Sequence, residues 1–268
     1  MSKEEKIKKS FSTPLIIIGS GNVATQLARA FTKKNIQIAQ VFSPNITHAE
    51  KLASLANCSF TNNIKEILQG NYIYLVCIKD EAIKAFAKSF KINEGIILHT
   101  SGSIAMDVLK NSAKNYGVFY PLQSISSTRK LSFKYVPICI EASNKETLQI
   151  IEQLANYISK NIHVVTSVQR KKIHLAAVIV NNFTNHLYHL AFEYLKKEKI
   201  SPELLYMLIE ETTAKALELS PFQAQTGPAK RKDKETIMAH KELLKKNPDL
   251  QNIYNLLTES IIKTYHHE

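Results

Sequence analysis

The sequence predicts a doubly wound α/β domain with a mainly parallel sheet, followed by an all-helical C-terminal domain. Three observations carry this. Short β-rich runs alternate with helical stretches from Pro14 to about residue 166, several of those runs are continuously apolar, and after Ser167 the strand-like runs stop. Continuous aliphatic strands such as Leu15 to Ile18 and Ile73 to Ile78 suit a parallel sheet covered on both faces, not a sheet with one wet side. Alternation of strand and helix is the pattern of βαβ units.

Taken in order, the strand candidates are PLIIIG, QIAQVFS, CSFT, YIYLVCI, GIILHT, GVFYP, PICIEA and IHVVT, and most segments between them are long enough for a helix. Residues 1–13 mix both charge signs without an apolar stretch and read as a solvated tail, not a secretory signal. The sheet domain is expected over 14–166 and the helical domain over 167–268. SVQRKKIHLAAVIVNNFTNHLYHLAFEYLKKEKI contains neither glycine nor proline and predicts one long helix with a Lys-rich last turn. SPELLYMLIEETTAKALEL opens on a Ser-Pro pair suited to the N-cap and first helical position. DKETIMAHKELLKKN and PDLQNIYNLLTESIIKTYHH add two more helices.

With 44% hydrophobic and 22% charged residues in 268, disordered and fibrous classes are excluded. Three cysteines without CxxC spacing argue against a disulfide framework and favour a reducing cytoplasm. The apolar run LAAVIV is far below the ~20 residues of a membrane span, so no membrane role is expected. The net charge of +12 comes from lysines scattered over the tail, the helix faces and the C-terminal third. That spread suits a solvated surface with some pull on an anionic small molecule, and nucleic-acid binding is not expected.

Residues 19–24, Gly-Ser-Gly-Asn-Val-Ala, join the first strand to the first helix. Gly19 would allow the tight turn, Gly21 the close approach of backbone to a pyrophosphate, and Ala24 close packing of helix on strand. Ser20, Asn22 and Val23 complete the turn, whose N–H groups point at the anion. Where NAD-preferring proteins place a carboxylate, at the end of the second strand, this chain has Ser43 and then Asn45. Without that carboxylate, NADP is favoured and NAD is possible; both residues also suit a plain turn before a helix. Ile78, Lys79, His99, Thr100, Ser101 and Gly102 lie at the carboxyl ends of the fourth and fifth strands, where ligands of open α/β sheets sit. Ser101-Gly102 also suits a helix N-cap.

The segments IIIGSGNVA, HTSGSIAMDVL, GVFYPLQSIS, RKKIHLAAVIVNNFTNHL and AQTGPAKRKDKETIMAHKELL resemble those of bacterial proteins in which a Rossmann-like domain precedes a C-terminal domain of unknown function. These are grouped as NADP oxidoreductases of the deazaflavin-dependent type. More distantly the chain is similar to pyrroline-5-carboxylate reductase, ketopantoate reductase and the 3-hydroxyacid dehydrogenases. The resemblance implies a Rossmann-type nucleotide domain, a redox cofactor, and a helical domain that shapes the substrate site and often forms a homodimer. Hydroxyacid dehydrogenases carry a Lys and, four residues on, an Asn on the first long helix of that domain. Here this helix offers Lys171, Lys172, His174, Asn181, Asn182 and Asn185 without that spacing.

At about 100° per residue, Asn181 and Asn185 fall within ~20° of His174 and Asn182 is offset by ~80°. A polar stripe of His174, Asn181 and Asn185 on an apolar helix should face a cleft, another helix or a ligand. His174 is the candidate acid, since imidazole titrates near neutral pH, with Asn181 or Asn182 orienting substrate. In QTGPAKRKD, Thr226, Gly227 and Arg231 are candidates for a substrate carboxylate, while Asp233 suits a helix cap. Gln123 is a further substrate candidate, and Tyr120-Pro121 reads as a packing pair that ends a strand. His266-His267 lacks other ligands at useful spacing, so no metal is expected. The function expected is hydride transfer between NADP and a small, anionic carbonyl or imine substrate. The alternative is a nucleotide-binding regulatory or scaffold protein of the same fold.

Overall fold

In the computed structural model, which describes residues 11–266, one sheet has the strand order β3-β2-β1-β4-β5-β6-β7-β8. The strands are β1 (Leu15–Ile18), β2 (Ile38–Phe42), β3 (Ser59–Thr61), β4 (Ile73–Val76), β5 (Ile96–His99), β6 (Asn115–Pro121), β7 (Ile138–Ala142) and β8 (Ile162–Val164). Every strand expected from sequence is present. Neighbours run parallel, except that β6 and β7 are antiparallel. The expected tail lies outside the described residues as far as residue 10.

The chain leaves β1 outward to β2 and β3, then returns to add β4 on the other side. The connections that leave the carboxyl ends of β1 and β4 therefore run to opposite sides, and this reversal opens the crevice in which doubly wound sheets bind ligands. Side chains alternate across the sheet with the strand period. Leu15 and Ile17 face α1 (Asn22–Thr32), α2 (Ile46–Ala56) and α4 (Lys145–Ile158) in one core, where Phe31 of α1 and Phe119 of β6 have ring centroids 6.0 Å apart. Ile16 and Ile18 face the opposite core, with Phe86 of α3 (Asp80–Ser89) and Phe90 just beyond it. Both faces are covered, which is why these strands are apolar throughout.

The long C-terminal helix begins at Ser167 behind a reciprocal capping box of Thr166 and Gln169. It runs as α5 (Ser167–Ala177), a π-turn (Val178–Phe183) and α6 (Thr184–Lys197). The π-turn corrects the sequence reading of a uniform helix. Its i→i+5 bonds accommodate extra chain per turn, so the 100° wheel drawn from His174 does not continue through Asn181 and Asn182 to Asn185. The β-branched run Val178, Ile179 and Val180, which crowds an α-helical turn, opens the segment.

By internal contacts the chain divides into two units, one ending at Asn181 and the other beginning at Asn182. The division falls inside the π-turn. Although sequence places it with the helical domain, α5 is bonded to the ends of β5 and β7. In the second unit, a 3-10 turn capped by Ser201 leads into α7 (Tyr206–Glu218). The elements α8 (Pro221–Ala224), α9 (Pro228–Arg231), α10 (Lys234–Leu243) and α11 (Pro248–His266) follow. Asp233 caps α10 by accepting from Thr236 N–H. Among the described residues of this unit, Ala229, Ile237, Leu244 and Thr258 are buried, whereas Leu204, Met207 and Leu217 stay 73%, 72% and 85% exposed. No helix among the described residues is long and apolar enough to cross a membrane.

Phe31 is fully buried between α1 and the sheet. Phe31→Ala should destabilise the first unit by about 3–5 kcal/mol, read as a lower urea midpoint at unchanged slope. A loss under about 1 kcal/mol would show that α1 is not anchored through this ring.

Candidate functional site

The glycine turn contains two glycines with different causes. Gly19 has φ +108°, and a Cβ there would lie 2.4 Å from the Cys77 carbonyl oxygen, so β1 and β4 approach too closely for any side chain. Gly21 has an ordinary φ of −77° and nothing within 4 Å of a Cβ, so the chain itself makes no demand for glycine there. The turn leads into α1 with no side-chain cap and no acidic residue in its first turn. Its first N–H groups therefore remain available to an anion. The cradle fits the pyrophosphate of a dinucleotide: free N–H donors, and open space where a Cβ would intrude.

Around this turn, several candidates are already engaged. Asn22 Oδ1 accepts from Ser127 N–H at 3.1 Å. Gln26, buried on α1, donates to the carbonyls of Ser126 and Arg129 at 2.6 and 2.7 Å, and Arg29 donates to that of Ser127 at 2.8 Å. The segment 126–129 is thus strapped along the first turns of α1, a contact no local sequence signal announces. The hydroxyls of Ser20 and Ser43 lie 2.8 Å apart, bringing the loops after β1 and β2 together. Asn45 caps α2 through Oδ1, which accepts from His48 N–H and leaves its amide N–H groups as donors. Val23 is half-buried behind the turn.

Beyond β4, Ile78 packs beside Gly19, and Lys79 is the exposed N-cap of α3. Beyond β5, Ser101 Oγ accepts from the N–H groups of Ser103 and Ile104, and Ser103 Oγ donates to Asp80 at the start of α3. The loops after β4 and β5 are joined in this way. Thr100 is buried, its hydroxyl donating to the Val76 carbonyl at 3.3 Å. His99 is also buried: Nδ1 accepts from Ser101 N–H at 3.2 Å, and Nε2 has no hydrogen-bond partner among the described residues. Burial first, and then the Arg170 charge, lower its titration from 6.5 to about 3, so the ring is neutral.

His174, four residues after Arg170 on α5, meets a partner that sequence reading assigned to packing. The Tyr120 hydroxyl at the end of β6 lies 3.1 Å from His174 Nδ1, with the rings edge to face. Burial pushes the Tyr120 phenol up to about 12, so it stays protonated and holds Nδ1 of the imidazole. Both rings rest on Gly102, where a Cβ would come within 2.6 Å of His174 Nδ1 and 2.8 Å of Tyr120 Cζ. Beneath them Arg170, wholly buried, pairs with Glu141 of β7 and donates to the Ser101 and Ile104 carbonyls. Arg170 and Glu141 went unread in sequence because their pairing joins positions 29 apart.

Other candidates stand apart from this cluster in their bonding. Gln123 is exposed, and its Oε1 accepts from Ser124 N–H. Asn181 and Asn182 lie in the π-turn. In the second unit, Thr226 accepts at its carbonyl from Gln225, Gly227 (φ +104°) precedes α9, and Arg231 is exposed. Among the described residues no three His, Cys, Asp or Glu side chains gather as a metal site; His267 lies outside them.

Two protein families match the chain: "NADP oxidoreductase coenzyme F420-dependent" over residues 14–100 and a domain of unknown function, DUF2520, over residues 136–261. A solved structure described as a "putative NADP oxidoreductase", from Bacteroides fragilis, is 39% identical over 94% of this chain and 99% of its own, with a TM-score of 0.87. A protein from Thermotoga maritima is 24% identical over 91% of this chain and 98% of its own, at 0.74. A pyrroline-5-carboxylate reductase from Streptococcus pyogenes aligns over 95% of this chain and 100% of its own at 10% identity and 0.64. The last two show a shared fold. A search among curated proteins gives no match.

The two glycines separate by experiment. Gly21→Ala should melt with the parent yet bind NADPH at least about tenfold more weakly, by fluorescence titration, whereas Gly19→Ala should be destabilised by about 2 kcal/mol or more. Equal NADPH affinity in Gly21→Ala would remove the cradle assignment. For His99, the unfolded chain takes up its proton below about pH 6.5 and the folded chain only near pH 3, so stability is lost as pH falls through that window. The slope contributed is at most about 1.4 kcal/mol per pH unit, and urea unfolding of His99→Gln should show a flatter pH profile between pH 7 and 5.

Proposed function

The chain belongs to the family of NADP oxidoreductases in which the F420-type nucleotide domain is followed by the DUF2520 domain, and on that premise we propose that it transfers hydride between NADP and a small, anionic carbonyl or imine compound. The observation that carries the reading is the Tyr120–His174 pair seated on Gly102, on the loop that follows β5 and is joined through Asp80 to the loop after β4.

The N–H groups of the first turn of α1 would hold the pyrophosphate beside Gly21. The end of β2 carries no carboxylate to repel a 2′-phosphate, and the exposed amide of Asn45 is there to donate to it, while Ser43, buried and bonded to Ser20, holds the loop; this supports NADP over NAD. When bound, the reduced nicotinamide supplies the hydride. In the charged form of His174, Nδ1–H donates to the Tyr120 oxygen and Nε2–H is the proton to be given to substrate oxygen or nitrogen as its carbon is reduced. The ring is left neutral with its remaining proton on Nδ1. Tyr120, kept protonated by burial, holds the imidazole in place while the proton leaves. The net charge of +12 favours an anionic substrate. Asn181, at the end of the first unit, would orient that substrate.

The second unit supports a homodimer formed through the helical domain. Its apolar faces are largely uncovered, and Leu187, Ala191, Tyr194, Leu205, Leu243 and Tyr254 line part of an open apolar groove of about 390 Å³. A second copy of the same unit would bury these faces without exposing new ones.

Purified protein should quench or enhance NADPH fluorescence at micromolar concentrations and bind NADH more weakly; no binding of either at millimolar levels would end the proposal. Across a panel of oxoacids and cyclic imines, His174→Gln should lower kcat by about 10²–10⁴ while NADPH affinity stays within about threefold. Light scattering after gel filtration should give twice the 30.3 kDa chain mass, and a monomer at micromolar concentration would contradict the dimer.

A further inference from the structure

Among the described residues Arg170 heads the fully buried side chains in size, and its position on α5 is one turn before His174. Its Nε donates to the Ser101 carbonyl at 3.2 Å, Nη2 to the Ile104 carbonyl at 2.5 Å and to Ser167 Oγ at 3.3 Å, and Nη1 to the Glu141 carboxylate. Glu141 is oriented in turn by the N–H and the hydroxyl of Ser167, each at 2.7 Å. The two carbonyls bracket Gly102 and Ser103. Successive turns of one helix therefore treat one loop in two ways: Arg170 grips its ends, and His174 lies on its middle at Gly102.

We propose that Arg170, anchored by Glu141, is a positioning residue that holds the 101–104 loop at the height where Gly102 seats His174 against Tyr120. The inference rests on the role given above to His174. Stability explains the pair poorly, because two charges removed from water gain little over apolar residues of the same volume. Geometry explains it better. A guanidinium presents donors in a fixed planar fork, so it can meet two loop carbonyls and a carboxylate at once, and an ammonium of the same charge cannot. Gly102 leaves no slack for error, since a Cβ there would come within 2.6 Å of His174 Nδ1 and 2.8 Å of Tyr120 Cζ. Movement of the loop toward α5 would push the imidazole off Tyr120, and movement away would remove its support.

The test uses the full chain with ¹⁵N-labelled histidine, the His174 signals being assigned by their loss in His174→Gln. Tyr120→Phe removes the hydrogen bond to Nδ1 and defines the shift of the released ring. Arg170→Lys should move the Nδ1 resonance toward that value, and the double variant should lie no further than Tyr120→Phe alone. NADPH should bind Arg170→Lys about tenfold more weakly, about 1.4 kcal/mol, while 2′-phospho-ADP-ribose, which lacks the nicotinamide, binds as to the parent. A lower melting temperature with the Nδ1 resonance at its parent position would overturn the proposal, as would a double variant whose shift is the sum of the two. If Arg170→Lys does not fold, Glu141→Gln, which keeps the cation and both carbonyl bonds while weakening the anchor, decides by the same resonance. Should the parent fail to bind NADPH, the proposed function falls while the Nδ1 comparison still decides the role of Arg170.

Discussion

A cation with no exposed surface constrains much of the first unit. Removing a guanidinium from water is expensive enough that it must be met by acceptors on nearly every side, and Arg170 finds them in β7, in the loop after β5 and in its own first helical turn. Satisfying it fixes where α5 begins. Ser167, whose hydroxyl and N–H bind Glu141, also accepts from Met106 N–H, so the start of the helix is tied to β7 and to the segment just past the loop. This is why α5 belongs with the sheet although its composition resembles the helices after it, and why His174 is delivered to the carboxyl ends of β5 and β6.

The sheet was legible because its cause is local and repeated. A parallel strand covered on both faces must be apolar at every position, and the runs at Leu15 to Ile18, Ile73 to Val76 and Ile96 to Leu98 meet that demand. Caps were legible for the same reason: Ser201 and Asp233 act on N–H groups two or three residues away. The turn at residues 19–24 could be placed because strand, glycines and helix are contiguous. Each of these features is decided within a dozen residues.

The candidate site was legible only in part, because its decisive contacts join distant positions. His174 stood out as a polar residue on an apolar helix, but Tyr120, 54 positions earlier, carried no mark that separated it from a packing tyrosine. Arg170 looked like one of several cations in QRKK, and nothing local says that it alone turns inward while Lys171 and Lys172 stay exposed. The wheel that put Asn181 and Asn185 on one stripe with His174 failed for another reason. A helical wheel assumes a constant angle per residue, and the π-turn at Val178–Phe183 breaks that assumption just where the wheel was used.

Three glycines near the site show how structure can separate the needs of the chain from the needs of a ligand. At Gly19 the backbone itself demands glycine, since φ is positive and the Cys77 carbonyl fills the place of a side chain. At Gly102 the demand comes from two side chains, His174 and Tyr120, which would be displaced by a methyl group. At Gly21 neither applies: the backbone is ordinary and the space is open. Folding alone would accept alanine there, even with a gain from a less flexible unfolded chain. A glycine that the fold does not use, at the entrance of a helix with free N–H groups and no acidic side chain, is what the proposed binding of a dinucleotide calls for. The phosphates of a dinucleotide have the charge and the size for that space, and this is the point at which the glycine turn ceases to be a matter of folding and becomes a matter of binding.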